Sequence, residues 1–275
     1  MVYGVFERTV LFIHTKTGKY IFYLKDMETG EVGRRRNIFG QFIYVNLSFA
    51  NNLKDIEETM LARLTYLATF ISYGDNIIRK NKQPVSKAQL VEMLDLSKTN
   101  FYRFYKQVID SGYLIETNEG YYQLNSDLFI RGNAEEWSDN KCRVISHPYR
   151  DAYRGLKPKE RIYLGHCIKL MSCANKSWNV LCSNEEENDI EQINTSTVNE
   201  IATALGKSRK AVGQILNELE GVHYTYNRIG MAKLAKLFNL DGRSKGLIIN
   251  PQIFYRGSGF FKFVALDIYK TYLHY

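Results

Sequence analysis

Along the first 50 residues apolar and polar positions alternate, and turn-forming segments interrupt the alternation. TVLFIHT, YIFYLKD and the stretch toward IFGQFIYVNL read as strands, with KTGK and METGE between them. Strand side chains point alternately to the two faces, so this spacing predicts a small antiparallel sheet. From Ile56 the period lengthens. In IEETMLARLTYLATFISYG apolar residues recur at three and four (Met60, Leu61, Leu64, Leu67, Ala68, Ile71) and the run ends at Gly74, which predicts a core helix.

The next stretch, NKQPVSKAQLVEMLDLSKTNFYRFYKQVIDSGYLIETNEGYYQLN, changes grammar again. Ser86 is positioned to cap a short helix that carries Leu90, Met93 and Leu94 inward; Leu96 fills the turn, and Ser97 caps a second helix. That second helix has an inward stripe of Phe101, Phe104, Tyr105, Val108 and Ile109. It leaves Lys98, Thr99, Asn100, Tyr102, Arg103 and Lys106 facing out. YLIE and YYQLN flank Asn118-Glu119-Gly120, the signature of a hairpin. Helix, short helix, turn, second helix and hairpin is the order of a winged helix-turn-helix, in which the helix after the turn enters the DNA major groove. The outward residues suit that use. Asn bonds adenine and Arg bonds guanine bidentately, Thr offers a methyl to thymine, and Lys106, Tyr102 and Ser97 can hold phosphates.

Residues 131–157 are polar, contain Gly132, Pro148 and Gly155, and read as a connector with a short helix near Tyr149 to Leu156. Pro158 opens a new helical run, KERIYLGHCIKLMSC; WNVLC reads as a short strand and SNEEENDIEQ as an exposed acidic loop. TSTVNEIATALGKSRKAVGQILNELEG then repeats the earlier grammar: a cap at Thr195 to Thr197, a short helix with Ile201, Ala204 and Leu205, and a cap at Ser208. The second helix has an inward stripe of Val212, Ile215, Leu216 and Leu219, with Arg209, Lys210 and Gln214 outward. The turn DGRSKG, between LAKLFNL and LIINP, supplies a basic wing with Arg243 and Lys245.

The expected fold is therefore α+β, mainly α. Residues 1–55 form a β-rich segment, 56–130 a first winged helix, 131–157 a helical connector, and 158–275 a second winged helix with a C-terminal extension.

Charge sharpens the picture. The chain of 275 residues has a formal net charge of +8. Residues 194–275 hold most of it, with eleven Lys and Arg against five Asp and Glu, whereas residues 57–132 balance at nine and nine. A basic excess on the second unit favours a polyanion partner. The run Arg34, Arg35, Arg36 lies between two N-terminal strands, as a phosphate-touching loop or a solvated turn. No stretch approaches the roughly 18 to 20 consecutive apolar residues of a membrane span, and charge interrupts the N-terminus too early for a signal peptide. A cytoplasmic protein is expected. Its four cysteines (Cys142, Cys167, Cys173, Cys182) are then reduced and buried.

The segments METGEV, FIYVNL, LARLTYLATFI, LVEMLDLSKTNFYRFYKQVIDSGYLIE, KERIYLGHCIKLM, WNVLC and GLIINPQIFYRG together resemble the winged-helix proteins of Firmicutes plasmids and their phages. That group comprises replication or maintenance proteins of the RepL type and phage transcription regulators. The resemblance spans most of the chain and rests on apolar and turn patterns. It implies sequence-specific binding of duplex DNA at an origin or at promoters. The duplicated unit departs from a minimal single winged helix.

Enzymatic signatures are sparse. His166, Cys167, Cys173 and Cys182 lack the close CxxC pairing of structural zinc sites, and Walker-type and GxGxxG glycine loops are absent. A tyrosine nucleophile would need clustered metal-binding histidines, but His14, His147, His166, His223 and His274 are scattered. The expectation is a non-enzymatic DNA-binding protein without cofactor, metal or membrane partner, acting as a phage or plasmid transcription regulator. In that role Arg34 to Arg36, Lys106, Lys210, Arg243 and Lys245 hold phosphates, while Asn100, Arg103, Arg209 and Gln214 read bases. Two heads on one chain cover successive groove turns about 10 base pairs apart, whereas a homodimer would read an inverted repeat. The alternatives are an initiator bound to its origin, and a winged-helix module that seizes a host replication or transcription protein.

Overall fold

The computed structural model describes residues 8–14, 20–26, 32–34, 41–48, 53, 55–132, 134, 137, 140–189, 192–226, 230–239 and 245–257. It divides into two compact units, Met1–Gly40 and Gln41–Tyr275. The first holds a three-stranded antiparallel sheet of β1 (Arg8–His14), β2 (Tyr20–Asp26) and β3 (Val32–Arg34), in that order. The register runs from Arg8 opposite Asp26 to His14 opposite Tyr20. Arg34 closes β3; Arg35 and Arg36 lie outside the described residues.

The second unit begins with β4 (Phe42–Asn46) and α1 (Glu58–Ala68), then the short hairpin β5 (Arg79–Lys80) and β6 (Gln83–Pro84). There follow α2 (Lys87–Leu94), α3 (Lys98–Asp110), the hairpin β7 (Leu114–Glu116) and β8 (Tyr122–Leu124), and β9 (Phe129–Ile130). Next come β10 (Lys141–Ile145), α4 (Ser146–Gly155), α5 (Ile162–Leu170), α6 (Val198–Leu205) and α7 (Arg209–Gly221). The chain closes with β11 (His223–Tyr226), β12 (Gly230–Lys233), β13 (Ala235–Asn239), β14 (Lys245–Ile249) and β15 (Phe254–Tyr255). Seven α-helices and small antiparallel sheets among the described residues make this a mixed α+β fold. No helix among them is long and apolar enough to cross a membrane.

Two assignments from the sequence change. The strand in FIYVN does not extend the N-terminal sheet; it pairs with KCRVI, inside the segment read as a connector. Ile43, Val45, Cys142 and Val144 are each 0% exposed, so the pair forms the floor of the core. Burying that apolar face requires a partner of matching alternation, and the partner lies about 100 residues further along the chain.

The four-stranded sheet has the order β15-β10-β4-β9 and exposes an internal repeat. Tyr44 pairs with Arg143 at its centre; Val45 pairs with Phe129 on one side, and Val144 with Phe254 on the other. The flanking bonds repeat as well: Asn46 N–H donates to Leu128 O at 3.1 Å and Ile145 N–H to Ile253 O at 2.8 Å. β9 and β15 sit in segments of the same form, NSDLFIRG (residues 125–132) and NPQIFYRG (residues 250–257). An antiparallel pair whose two strands are themselves equivalent defines a local two-fold relation between the halves.

The frame around each segment matches bond for bond. Asn125 and Asn250 accept from the backbone two residues on, at 2.7 and 2.9 Å, in Asx turns. Asn76 and Asn179 both adopt left-handed backbone (φ 50° and 60°), and both are buried. Their amides donate to Phe129 O at 2.7 Å and Phe254 O at 2.6 Å, which ties the strand after the first helix to the end of each half. A residue without that side-chain amide would leave the carbonyl unsatisfied in the core.

The first helices of the halves, α1 and α5, cross at close range. A Cβ on Gly165 would stand 2.1 Å from Glu58 O, so this position admits only glycine. Tyr149 of α4 donates to Ala62 O of α1 at 3.0 Å, and Tyr153 stacks on Tyr66 with centroids 4.1 Å apart. Most buried apolar residues of the second unit form one large core spanning both halves, and Val180, Cys182, Ile193 and Ile248 form a smaller one.

Candidate nucleic-acid interface

Both helix pairs are built by the same local devices. Ser86 caps α2 in a reciprocal capping box with Gln89, and Thr197 caps α6 with Glu200. Each short helix ends on a left-handed residue, Asp95 (φ 53°) or Gly206 (φ 63°), which redirects the chain. Ser97 and Ser208 then cap α3 and α7 by accepting from Asn100 N and Ala211 N. Both short helices have 8 residues and both long ones 13.

The outward residues of α3 are placed as their spacing predicts. Lys98, Thr99, Asn100, Tyr102, Arg103 and Lys106 are exposed, while Phe101, Phe104 and Val108 are buried. Arg103 Nη2 donates to Asn100 Oδ1 at 3.1 Å, so two base-reading candidates are joined side by side. Lys87 stands over the rings of Tyr105 (3.8 Å) and Tyr102 (5.4 Å) and brings charge to the start of this face. Lys106 pairs with Asp110 at 3.8 Å, a weak exposed contact that a phosphate can displace.

The hairpin beside α3 has the opposite character. Tyr105 Oη donates to Glu116 at 2.6 Å and anchors the hairpin to the helix; burial and Glu116 together raise the Tyr105 pKa. Its loop carries Glu119 and no Lys or Arg, with Ile115 44% and Tyr121 38% exposed. Contact with backbone phosphate is not what this surface favours.

In α7, Ser208, Arg209, Lys210 and Gln214 are exposed. Gln214 Nε2 donates to Glu218 at 2.8 Å, and Glu218 also accepts from Tyr163 Oη, so the Gln214 amide is already engaged. The second half inserts the β11–β12 hairpin before its β13–β14 hairpin. Lys245 begins β14 opposite Asn239, and Arg243 lies outside the described residues.

A buried charge cluster joins the turn of the second half to the first. Glu58, at the start of α1, pairs with Lys169 of α5 at 2.9 Å and with Lys207, the residue before the α7 cap, at 3.2 Å. Burial acts to raise the Glu58 carboxyl, but the hydrogen bond and charge of Lys169, with His166, hold it below the usual range. His166 is 4% exposed, and burial pushes it down to about 4. The reciprocal contact runs from Arg161, just before α5, to Asp95 in the turn of the first half at 3.2 Å. Each first helix therefore grips the corner between the short and long helices of the other half, with the charges exchanged.

Sequence reasoning passed over the strand at Lys141–Ile145, the repeated NxxxFxRG segment and this cluster. The repeat was visible as text; the cluster joins Glu58, Lys169 and Lys207, which have no local pattern in common. The four cysteines are free thiols, and Cys142, Cys167 and Cys182 are buried. Among the described residues no group of three His, Cys, Asp or Glu side chains could hold a metal ion.

Comparison of the chain with protein-family models, with curated proteins and with solved structures finds no match.

Proposed function

We propose that the chain is a non-enzymatic, sequence-specific binder of double-stranded DNA, a transcription regulator of phage or plasmid type, whose halves are two winged helix-turn-helix units. One observation carries this reading: an 8-residue helix, a left-handed corner and a 13-residue helix occur twice, each time with an exposed polar first turn containing Lys or Arg. Asn100 and Arg103 are the base readers of the first head, with Lys98, Thr99, Tyr102 and Lys106 around them. Arg209 and Lys210 lead the second, with Gln214 released from Glu218 on binding. The local two-fold relation implies that the heads address half-sites of opposite polarity. A single chain would then read an imperfect inverted repeat. The same chemistry serves an initiator at its origin.

The exposed, acidic Ile115–Tyr121 hairpin favours a second reading, in which that hairpin docks a host replication or transcription protein.

Selection of bound fragments from the source replicon and its host, at about 150 mM salt, tests the proposal; one recovered motif is expected. Changing Asn100 and Arg103 together to Ala should weaken binding at that motif by about 2 to 6 kcal/mol at unchanged thermal stability. Recovery of no motif would overturn DNA reading and leave the protein-docking hairpin.

A further inference from the structure

The two halves treat one arginine in opposite ways. Arg131 and Arg256 end the repeated segments, and each donates Nη1 to a carbonyl just past its half's first helix. Arg131 reaches Ile71 O at 2.8 Å and Arg256 reaches Ala174 O at 3.0 Å. In the second half the loop from strand to helix is acidic, and its Glu185 forms an ion pair with Arg256. In the first half the corresponding connection is the β5–β6 hairpin, RKNKQP, with Asn81 and Lys82 in left-handed conformation at its tip. It brings more positive charge to the same place.

The result is a cleft of about 560 Å³ whose wall includes Arg79, Lys80, Lys82, Arg131 and Arg150 and no carboxylate. Asp75 pairs with Arg79 at 2.8 Å and Glu92 with Lys80 at 3.3 Å, both from outside that wall. Lys82, Arg131 and Arg150 have no anionic partner among the described residues. Arg131 Nε is buried without any hydrogen-bond partner. Arg150 is held by Thr69 and stands 3.6 Å over the Phe70 ring, and burial, with Arg154 and Arg131 nearby, pushes it down to about 10. Like charges gathered in a partly desolvated cleft repel one another, so a bound anion would be favoured there. The second half shows the compensation supplied internally. Tyr73, 65% exposed and lying 4.7 Å from the Arg131 guanidinium, adds a flat apolar wall.

We propose that this cleft binds the phosphates of a nucleotide, with Lys80, Lys82, Arg131 and Arg150 on the phosphoryl oxygens and Tyr73 offering its face to the base. The volume matches a small-molecule site. The phosphates belong either to a free nucleotide or to a nucleic-acid strand; only the second source rests on the DNA-binding reading above.

The test is calorimetric titration of the full chain at about 150 mM salt with ATP and, separately, with a 20-base-pair duplex of arbitrary sequence. The variant is Lys82→Glu, which introduces in the first half the charge that Glu185 has in the second, on an exposed hairpin tip. Lys98→Gln with Lys210→Gln is the control on the reading helices. A sub-millimolar ATP affinity that falls at least about tenfold in Lys82→Glu and stays unchanged in the control supports a free-nucleotide site. Absence of ATP binding, with duplex affinity falling at least about tenfold in Lys82→Glu, supports contact with a strand. ATP binding that falls in Lys82→Glu, without any duplex binding, would sink the DNA reading and keep the cleft. Equal affinities of wild type and Lys82→Glu for both probes, including no binding of either, would overturn the proposal.

Discussion

The pair α2 and α3 and the pair α6 and α7 have equal lengths, equivalent caps and a left-handed corner between them, yet their surroundings are charged in opposite senses. Beside α3 the hairpin is acidic and the strand-to-helix hairpin β5–β6 is basic; before α6 the corresponding loop is acidic and its Glu185 neutralises Arg256. The shared part is what backbone hydrogen bonding demands: caps for orphan N–H groups, an Asn amide across each core junction, a stripe of apolar residues. The differing part is surface charge, which the frame tolerates in either sign. A duplicated frame thus carries two surfaces of different charge.

Three measurements bear on that comparison. The largest effect concerns the crossed grips at the two corners. Glu58 is 7% exposed and answers two lysines, so Glu58→Gln removes the buried carboxylate that both reach and should cost on the order of 3 to 5 kcal/mol in chemical denaturation. Its counterpart Asp95 has a side chain 76% exposed, and Asp95→Asn should cost about 1 kcal/mol or less. Equal losses would mean that burial does not distinguish the two grips.

The next concerns acidity. In the folded chain His166 stays neutral down to about 4, whereas in the unfolded chain it takes up its proton near 6.5. Between those values the unfolded state binds more protons, so stability falls as pH drops from about 6.5 to about 4, by roughly 3 kcal/mol from this group. Glu58 acts in the same sense at lower pH: its contribution is lost as pH falls through its depressed folded value. Denaturation series at pH 7 and pH 4.5 on wild type and His166→Gln check this. A variant with the same pH slope as wild type would remove His166 from the account.

The smallest compares the two long helices directly. Where α3 has exposed Tyr102, α7 has Gly213, inside the helix and with nothing within 4 Å of a built Cβ. Gly213→Ala should stabilise the chain by up to about 1 kcal/mol, read as a rise in melting temperature. A loss of stability would show that a close neighbour does meet this face of α7.

Much of this architecture was legible in the order of residues. The caps at Ser86, Ser97, Thr197 and Ser208 and the inward stripes of α3 and α7 follow from rules that act within a few residues. The exposure of Lys98, Thr99, Asn100, Tyr102, Arg103 and Lys106 and of Arg209, Lys210 and Gln214 follows from the same period. The strand KCRVI did not stand out, because five residues with one polar neighbour on each side look like a connector until their distant partner is known.

The contacts that join distant positions arise from packing and have no local signal. The pairing of Phe42–Asn46 with Lys141–Ile145 makes the central sheet and sets the two halves about a common axis. The crossing at Gly165, the Glu58 cluster and the cleft between Arg131, Arg150 and the β5–β6 hairpin depend on that pairing. Local sequence determines which groups a segment exposes, because helix and strand periods are properties of the backbone. Which exposed groups then meet, and whether a gathered charge finds its opposite, depends on how the buried faces pack, since that packing brings together residues a hundred positions apart.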